Sequence, residues 1–514
     1  MILVSEICRT NTNGLIPIFL CVFLDMHINE ILKCPDDFEV SDGYDFLDFD
    51  IASLHHDSRT VCAGGLFFAL HGTKTNGNKF IQQAIKNGAA CIITERALVK
   101  CIVPQVVVPN VRKTMSLIAK TFYGNAVDDL KIIAVVGTNG KTTITHMLKH
   151  IIESGGEQCG VIGTLGIWYG NKKVTGSMTT PDPIELHKVF AEMRDAGVKT
   201  VIMEASAHAI SLHKLEGIVF EAAVFTNITR DHLDFFKTFE VYCQTKIDFF
   251  LNSETVKTAV INTDDEFGQT IINKRIGKSI GYSLKNINVE LFTRKSVFRV
   301  EEHTITLNMP ARFNVSNALG CIAVSRNIGI SYSQIKKALI NLPQISGRFN
   351  TYSVKDGRTV VIIDYAHTPD GLDKLIQSVR EIAPNGRIIT VFGCGGNRDK
   401  AKRIIMGEIS GRLSNYTIIT SDNPRYEKPI TIMYQIEKGI KRATPRHERE
   451  LKYTLIVDRT EAINFALYKA KPEDIVIIAG KGGETHMEIK GQKIEYNDEN
   501  VIKKYDTTQT RAEV

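Results

Sequence analysis

The 514-residue sequence lacks closely spaced cysteine pairs, and it carries little net charge. Its ten cysteines are scattered and none forms a C-x-x-C pair, so neither a disulfide framework nor a zinc site is indicated. A net charge of +6 is small for this length and does not argue for nucleic acid binding. The slight excess of Lys and Arg suits a small anionic substrate equally well. We therefore expect a cytoplasmic protein with reduced thiols.

We also expect neither a transmembrane segment nor a secretory signal. Residues 15–24 are apolar, but a stretch of this length that contains Pro17 is too short to span a bilayer. Only Arg9 supplies positive charge before it, and no small-residue cleavage site follows, so it is a poor secretory signal. We expect residues 1–25 to be an extension ahead of a natural start at Met26, and we expect no stable membrane insertion.

The length exceeds what one hydrophobic core usually serves, which predicts about three domains. Residues 26–128 have the pattern of a small α/β domain, and residues 129–343 that of a nucleotide-binding α/β domain. Residues 344–514 alternate strands and helices in the manner of a doubly wound, Rossmann-like domain. The predicted fold class is α/β with these three domains.

One motif stands at the centre of the chain. Residues 132–136 are apolar and predict a buried strand, residues 137–143 read Gly-Thr-Asn-Gly-Lys-Thr-Thr, and an amphipathic helix follows. A strand, a glycine loop and a helix form a phosphate-binding site, because backbone N–H groups and the helix N-terminus attract anions. Lys141 is expected to reach the outer phosphates of a triphosphate, and the Thr142 hydroxyl to bind Mg²⁺.

Two further polar residues follow neighbouring predicted strands. Glu204 stands at the end of the strand predicted at 200–203, and His232 follows the strand predicted at 222–225. Ligands of parallel sheets bind beyond the carboxyl ends of the strands, so both side chains are expected close to Lys141. A carboxylate and an imidazole beside a triphosphate suggest Mg²⁺ ligands.

In the third domain, four predicted strands end in polar loops. The loops are residues 364–369, 393–400, 421–425 and 480–484. The glycine-rich loop at 393–400 is not G-x-G-x-x-G, and no acidic residue is placed to bind a ribose, so a nicotinamide site is not indicated.

Together these motifs resemble the Mur ligases, the ATP-dependent amide ligases of peptidoglycan precursor synthesis. The resemblance runs from about Met26 to the C-terminus. The residues that carry it are the phosphate motif at 137–143, Glu204, Ser206, His208, residues 230–234, Asn314, Asn317, residues 347–349 and residues 364–369. It implies a reaction through an acyl phosphate, with ADP and phosphate as products.

The resemblance also implies site residues. The expected catalytic set is Lys141, Glu204, His232 and Lys246, the last as a carbamate formed with CO₂, and the expected metal ligands are Thr142, Glu204 and His232. The expected ATP contacts are Gly137, Thr138, Asn139, Gly140, Lys141, Thr142, Thr143, Asn314, Arg348 and Asp364. The expected contacts to a UDP-muramoyl substrate are Ser58, Thr73, Lys74, Thr75, Thr179, Thr180, Ser206 and Lys214.

Within the family the sequence is most similar to the members that add the third residue to UDP-N-acetylmuramoyl-L-alanyl-D-glutamate. Residues 422–425, Asp-Asn-Pro-Arg, resemble the form found in members that add meso-diaminopimelate. L-Lysine is the alternative amino acid. The expected amino-acid contacts are Arg398, Asp422, Asn423, Pro424, Arg425, Gly480 and Glu484. We expect a monomer that binds these small molecules, with ATP and Mg²⁺ as cofactors and no nucleic acid partner.

Two other functions are weighed. Folylpolyglutamate synthetase shares the short phosphate motif and the acyl phosphate chemistry, but residues 57–59 and 422–425 argue against it. A nucleotide switch that hydrolyses ATP slowly would not need the acidic and imidazole groups or three motif-bearing domains.

Lys214 stands where the family often has arginine, and lysine offers a point charge rather than a bidentate fork.

Overall fold

The computed structural model describes residues 25–33, 37–41, 47–72, 75–98, 101–174, 176, 178–355, 357, 359–443 and 452–512. The chain divides into two compact units: one holds the described residues up to Val111 with Thr121–Tyr123, the other Arg112–Lys120 and the chain from Gly124. No helix within the described ranges is long and apolar enough to cross a membrane. The expected N-terminal extension lies outside the described residues except for Asp25.

The first unit is built on a five-stranded sheet. Its strands follow the order β2-β7-β6-β5-β4, with β4 to β7 parallel and β2 antiparallel at one edge. A 3₁₀ turn at Gly77–Phe80 precedes the second helix. The elements are β1 Met26–His27, α1 Ile28–Ile31, β2 Glu39–Val40, β3 Asp50–Ile51, β4 Ser53–His55, β5 Gly65–Phe68, α2 Ile81–Lys86, β6 Ala89–Thr94, β7 Gln105–Val107 and α3 Val111–Phe122, through which the boundary between the units passes.

The second unit begins with an eight-stranded sheet in the order β11-β10-β9-β12-β8-β13-β14-β15. Strands β9, β12, β8, β13, β14 and β15 are parallel, and β10 and β11 form an antiparallel edge. The elements are the 3₁₀ helix Ala126–Asp129, β8 Lys131–Val136, α4 Lys141–Ser154, β9 Cys159–Gly163, β10 Gly166–Tyr169, β11 Lys172–Val174, α5 Pro183–Asp195, β12 Thr200–Glu204, α6 Ala207–Ser211, β13 Phe220–Phe225, α7 Leu233–Phe236, α8 Phe239–Leu251, β14 Val256–Asn262, α9 Glu266–Lys274 and β15 Lys278–Tyr282.

A three-stranded antiparallel sheet and two helices follow the large sheet. Helix α11 starts with a capping box, in which the Ser331 hydroxyl and the Gln334 side chain satisfy each other's backbone N–H groups. The elements are β16 Val289–Leu291, β17 Ser296–Val300, β18 His303–Leu307, α10 Arg312–Asn327 and α11 Tyr332–Ile340.

The C-terminal part has its own six-stranded sheet in the order β19-β20-β24-β21-β22-β23. Strands β20 to β24 are parallel, and β19 is an antiparallel edge strand. The elements are β19 Asn350–Val354, β20 Thr359–Asp364, α12 Pro369–Ile382, β21 Ile388–Phe392, α13 Ala401–Leu413, β22 Tyr416–Ile419, α14 Pro429–Ala443, β23 Tyr453–Leu455, α15 Arg459–Lys469, β24 Ile475–Ala479, β25 His486–Ile489, β26 Gln492–Glu495 and α16 Asp498–Ala512.

Apolar residues cover both faces of this C-terminal sheet. Leu372, Leu375 and Ile376 of α12 pack in one buried cluster, together with residues of α13 and α14. Ile463 and Leu467 of α15 pack in a second cluster against the alternate residues of the same strands. Parallel strands buried on both faces read as continuous apolar runs, which is why their positions were visible in the sequence.

The α/β class predicted from the sequence is confirmed, including the doubly wound C-terminal sheet. The four strands predicted to precede the loops at 364–369, 393–400, 421–425 and 480–484 are present, and each ends within two residues of the start of its loop. Strand β19 was missed, because Asn350–Val354 has no apolar run and only Tyr352 and Val354 in it are apolar. The three predicted domain boundaries stay predictions.

Candidate active site

The phosphate motif of residues 137–143, called the phosphate loop below, joins β8 to α4. Gly137 lies so close to Thr226 that a Cβ atom would stand 1.8 Å from Thr226 Oγ1. Gly140 has a φ of +89°, and a Cβ there would lie 2.6 Å from Asn317 Oδ1. Both positions therefore require glycine, and the loop backbone stays open to a ligand.

Lys141 begins α4 and lies over the loop that precedes it. Its Nζ donates hydrogen bonds to Gly137 O at 2.9 Å and to Thr138 O at 2.8 Å. Burial lowers the pKa of Lys141 from its usual range, while the nearby Glu204 and Asp231 carboxylates oppose that shift. The cation is held where the outer phosphates of a bound nucleotide would meet it.

Three side chains form a hydrogen-bonded chain that joins the segment before β19 to the start of α4 and the end of β12. Arg348 Nη2 donates a hydrogen bond to Thr142 Oγ1 at 2.9 Å, and Thr142 Oγ1 donates to Glu204 Oε1 at 2.9 Å. Glu204 is the last residue of β12, next to β8 in the sheet. The Arg348 guanidinium also lies 4.5 Å from the ring centroid of Tyr365. The structure thus brings together three residues that lie far apart in the sequence.

His232 follows the neighbouring strand β13 on the other side of β8. Its Nε2 lies 3.4 Å from Asp231 Oδ2, and its ring packs edge-on against His208 with centroids 4.7 Å apart. Burial lowers the pKa of His232 to about 4, so its imidazole is neutral at neutral pH and one ring nitrogen can accept a metal. Across the described ranges, no group of three or more His, Cys, Asp or Glu side chains forms a preformed metal cage.

These groups line one cavity of about 590 Å³. Asp364 enters it at the end of β20, with its carboxylate accepting the Phe349 and Ala366 N–H groups at 2.8 Å each. Asn314 enters it from α10 and is fully buried. All expected ATP contacts line this cavity, namely Gly137, Thr138, Asn139, Gly140, Lys141, Thr142, Thr143, Asn314, Arg348 and Asp364, and so do Glu204 and His232.

Lys246 is fully buried on α8 beneath the phosphate loop. Its Nζ donates to Thr138 Oγ1 at 3.2 Å and to the Tyr242 hydroxyl. Burial, with the nearby Lys141 cation, places the pKa of Lys246 well below the usual lysine range. A fully buried lysine is not a solvated surface residue, and its uncharged amine is the form that reacts with CO₂.

The expected UDP-substrate residues fall into two sets. In the second unit, Thr180 Oγ1 donates to Glu204 O at 2.8 Å and lies 3.1 Å from Ser206 Oγ. Lys214 Nζ forms an ion pair with Asp182 Oδ1 at 2.7 Å, and Thr179 lines the cavity. In the first unit, Ser58 is buried and Thr75 is exposed. Thr73 and Lys74 lie outside the described residues.

The expected amino-acid residues lie on loops that follow β21, β22 and β24. Asn423 Nδ2 donates to Glu484 Oε2 at 2.9 Å, and Arg425 Nη1 donates to Gly396 O at 3.0 Å. The same loops hold Asp422, whose carboxylate accepts the Asn423 N–H at 2.5 Å, with Pro424 between Asn423 and Arg425 and with Gly480 at a φ of +109°. Arg398 lies on the loop after β21, with its Nη1 3.7 Å from Asp234 Oδ2.

Sequence reasoning missed several residues of the site. Thr164 donates both its backbone N–H and its hydroxyl to Glu204, at 2.9 and 3.0 Å. Lys481 is fully buried and its Nζ lies 2.8 Å from Glu484 Oε2. Glu488 Oε2 lies 2.8 Å from Arg425 Nε. Thr164 and Glu488 carry no local signal, whereas Lys481 stands in the predicted loop 480–484 and could have been found there.

A phosphate loop after a central parallel strand, with an acidic residue from the next strand bonded to its threonine, defines an α/β P-loop nucleotide-binding enzyme. Three family sequence models match the chain. They are "Mur ligase family, catalytic domain" at residues 50–123, "Mur ligase middle domain" at 135–325 and "Mur ligase, glutamate ligase domain" at 347–482. The chain belongs to the Mur ligase family, whose members are ATP-dependent, amide bond-forming ligases.

Similar proteins agree with this assignment. The UDP-N-acetylmuramoyl-L-alanyl-D-glutamate–2,6-diaminopimelate ligase of Clostridium tetani is 39% identical over 493 residues, which cover 93% of this chain and 99% of the relative. A solved structure of a ligase with the same name is 29% identical, with a TM-score of 0.66. The match covers 95% of this chain and 100% of the solved chain. A MurF ligase from Thermotoga maritima in complex with ADP shares the fold, with 19% identity, a TM-score of 0.57 and coverage of 83% and 93%.

Proposed function

We propose that this ligase adds meso-diaminopimelate to UDP-N-acetylmuramoyl-L-alanyl-D-glutamate, with ATP converted to ADP and phosphate, in peptidoglycan precursor synthesis. The 39% identical relative carries the name of that reaction. The Asp-Asn-Pro-Arg run at 422–425 supports the same amino acid. The cytoplasm, where nucleotide-activated precursors and ATP are available, is the proposed compartment, and the proposed working form is a monomer.

The hydrogen-bonded chain from Arg348 through Thr142 to Glu204 carries the proposal. It sets an arginine of the C-terminal part beside the phosphate loop. A nucleotide triphosphate held by Lys141 would therefore have its outer phosphate near the loop at the end of β20, which lines the same cavity, and near the loop at the end of β24, which packs against Gly347. Ligation requires that proximity, because the activated carboxyl group and the attacking amine must meet.

The proposed chemistry has two transfers. An oxygen of the D-glutamate γ-carboxylate attacks the γ-phosphorus of ATP, the bond to the β-phosphate oxygen breaks, and ADP leaves. The amine of the incoming amino acid then attacks the acyl phosphate carbon, loses a proton, and displaces inorganic phosphate as the amide forms. Lys141 and Arg348 stabilise negative charge on the transferring phosphoryl group, which is the main task of a protein in phosphoryl transfer.

The donor set fits Mg²⁺. Thr142 and Glu204 present buried oxygen atoms in mutual contact, and the neutral imidazole of His232 lines the same cavity. Mg²⁺ usually binds through one or two protein oxygens plus phosphates and water, so a larger cage of carboxylates is not needed. When bound, the ion would neutralise phosphate charge. Thr142, Glu204 and His232 would hold the ion. A carbamate on Lys246 would orient the groups around the ion.

The substrate contacts follow from the same proposal. In the second unit, Thr179, Thr180, Ser206 and Lys214 bind the UDP-muramoyl dipeptide. The contacts of Ser58, Thr73, Lys74 and Thr75 stay predictions from the sequence. The amino acid is bound by Arg398, Asp422, Asn423, Pro424, Arg425, Gly480 and Glu484. Arg425 supplies the guanidinium for the carboxylate at the far end of meso-diaminopimelate, and Glu484 receives the ammonium group beside it.

A phosphate-release assay with single omissions tests the proposed reaction. The purified chain should release phosphate from ATP only when both UDP-N-acetylmuramoyl-L-alanyl-D-glutamate and meso-diaminopimelate are present. Release with a folate and glutamate would favour folylpolyglutamate synthetase instead. Release with ATP alone at the same rate would favour the nucleotide switch, and either result would refute the proposal.

A further inference from the structure

The hairpin formed by β25 and β26 is hydrogen-bonded to the backbone of Arg425. The Arg425 N–H donates to Glu488 O at 3.0 Å, and the Lys490 N–H donates to Arg425 O at 2.8 Å. Arg425 has a φ of +51°, a left-handed conformation that costs a non-glycine residue about 1 kcal/mol. The two hydrogen bonds offset that cost, so the hairpin determines where the Arg425 backbone lies.

The side chains of the same two residues also pair. Arg425 Nε lies 2.8 Å from Glu488 Oε2, and Arg425 Nη1 donates to Gly396 O at 3.0 Å. A guanidinium has five N–H donors, so these contacts use two and leave one on Nη1 and both on Nη2. A carboxylate that approaches end-on needs one donor from each terminal nitrogen. The pair with Glu488 therefore keeps a carboxylate-binding edge of Arg425 available.

A second ion pair lies beside the first. Lys481 Nζ lies 2.8 Å from Glu484 Oε2. Asn423 joins the pairs, because its Nδ2 donates to Glu484 at 2.9 Å while its Oδ1 accepts the Glu488 N–H at 2.9 Å. The two pairs supply two cationic and two anionic side chains. Such a group offers a partner both to the ammonium and to the carboxylate of a zwitterion.

We propose that Glu488 is a positioning residue for substrate choice. By holding Nε of Arg425 it directs the terminal edge of the guanidinium to the carboxylate at the far end of the incoming amino acid. This inference rests on the proposed function, in which Arg425 binds the far carboxylate of meso-diaminopimelate. Glu488 does not contact the reacting atoms, so it acts on amino-acid affinity and not on phosphoryl transfer.

Steady-state kinetics of Glu488→Ala test the inference. The KM for meso-diaminopimelate should rise by about 10-fold or more, the scale for a lost hydrogen bond between charged groups. The KM values for ATP and the UDP-dipeptide should stay unchanged, and kcat should change little. Glu488→Gln should recover part of the affinity, because its amide oxygen can still accept from Nε. Glu495→Ala, an exposed glutamate on the same hairpin, is the control and should match the wild type.

A double-mutant cycle separates positioning from a general structural role. In the background of Arg425→Ala, replacing Glu488 should have no further effect on the KM for meso-diaminopimelate. An equal effect in both backgrounds, or an unchanged KM in Glu488→Ala, would overturn the inference while leaving the proposed function intact. A wild-type enzyme that accepts L-lysine but not meso-diaminopimelate would overturn both.

Discussion

Arg348 and Thr142 are 206 positions apart in the chain, yet Arg348 Nη2 donates a hydrogen bond to Thr142 Oγ1 at 2.9 Å. Thr142 belongs to the phosphate loop, whereas Arg348 precedes the first strand of the C-terminal sheet. Thr142 donates in turn to Glu204. A phosphate site completed by an arginine from another part of the chain links nucleotide binding to the loops of the C-terminal sheet.

Lys141→Ala should lower kcat for amide formation by about 1,000-fold or more, because the transferring phosphoryl group loses a cation that stabilises its negative charge. Phosphate release under saturating substrates measures this. Lys149→Ala is a matched control, since Lys149 lies on the same helix and pairs with Glu153. Near-normal turnover of the Lys141 variant would contradict the assignment of the phosphate loop.

Lys246→Ala should be nearly inactive and should regain part of its activity when formate or acetate is added. A carbamate on Lys246 would turn a buried amine into a carboxylate-like group, and a short carboxylic acid can replace that group in the space left by the side chain. The low pKa of Lys246 supports the reaction of its neutral amine with CO₂. Lys257→Ala, which removes an exposed lysine paired with Glu221, should behave like the wild type. Full activity of Lys246→Ala without added acid would refute the carbamate.

Much of the fold could be predicted from local sequence. Apolar runs followed by glycine or polar loops predicted the parallel strands, and therefore also predicted that Lys141, Glu204 and His232 lie at neighbouring strand ends. Contacts between distant segments could not be predicted this way. The Arg348–Thr142 hydrogen bond depends on how distant segments of the chain pack. The Glu488–Arg425 pair depends on a hairpin whose sequence has no signal that distinguishes it from other exposed hairpins.

Arg425→Ala should reduce the preference for meso-diaminopimelate over L-lysine by roughly 2–5 kcal/mol, the scale for truncating one member of a buried charge pair. The ratio of the two kcat/KM values measures this preference. Arg442→Ala is the control, because Arg442 is exposed on α14 and pairs with Glu408. An unchanged ratio in the Arg425 variant would show that another group reads the far carboxylate.

His187 should make the protein sensitive to acid. Its side chain is buried against Phe190, its Nε2 has no hydrogen-bond partner among the described residues, and burial lowers its pKa from 6.5 to about 3. Between these values the unfolded chain binds a proton that the folded chain does not, so stability falls as pH drops below 6.5. At pH 5 the loss is about 2 kcal/mol.

Replacing His187 by leucine removes that titrating group. Urea unfolding of His187→Leu and the wild type at pH 7 and pH 5 should show that the variant loses about 2 kcal/mol less on acidification. Equal losses in both proteins would contradict the lowered pKa.

The most direct test of the substrate is a comparison of amino acids with the purified wild-type enzyme. Phosphate release is measured with saturating ATP and UDP-N-acetylmuramoyl-L-alanyl-D-glutamate while meso-diaminopimelate or L-lysine is varied, and the kcat/KM values are compared. The account predicts a kcat/KM for meso-diaminopimelate at least about 30-fold higher, the equivalent of about 2 kcal/mol. Equal values for the two amino acids would contradict it.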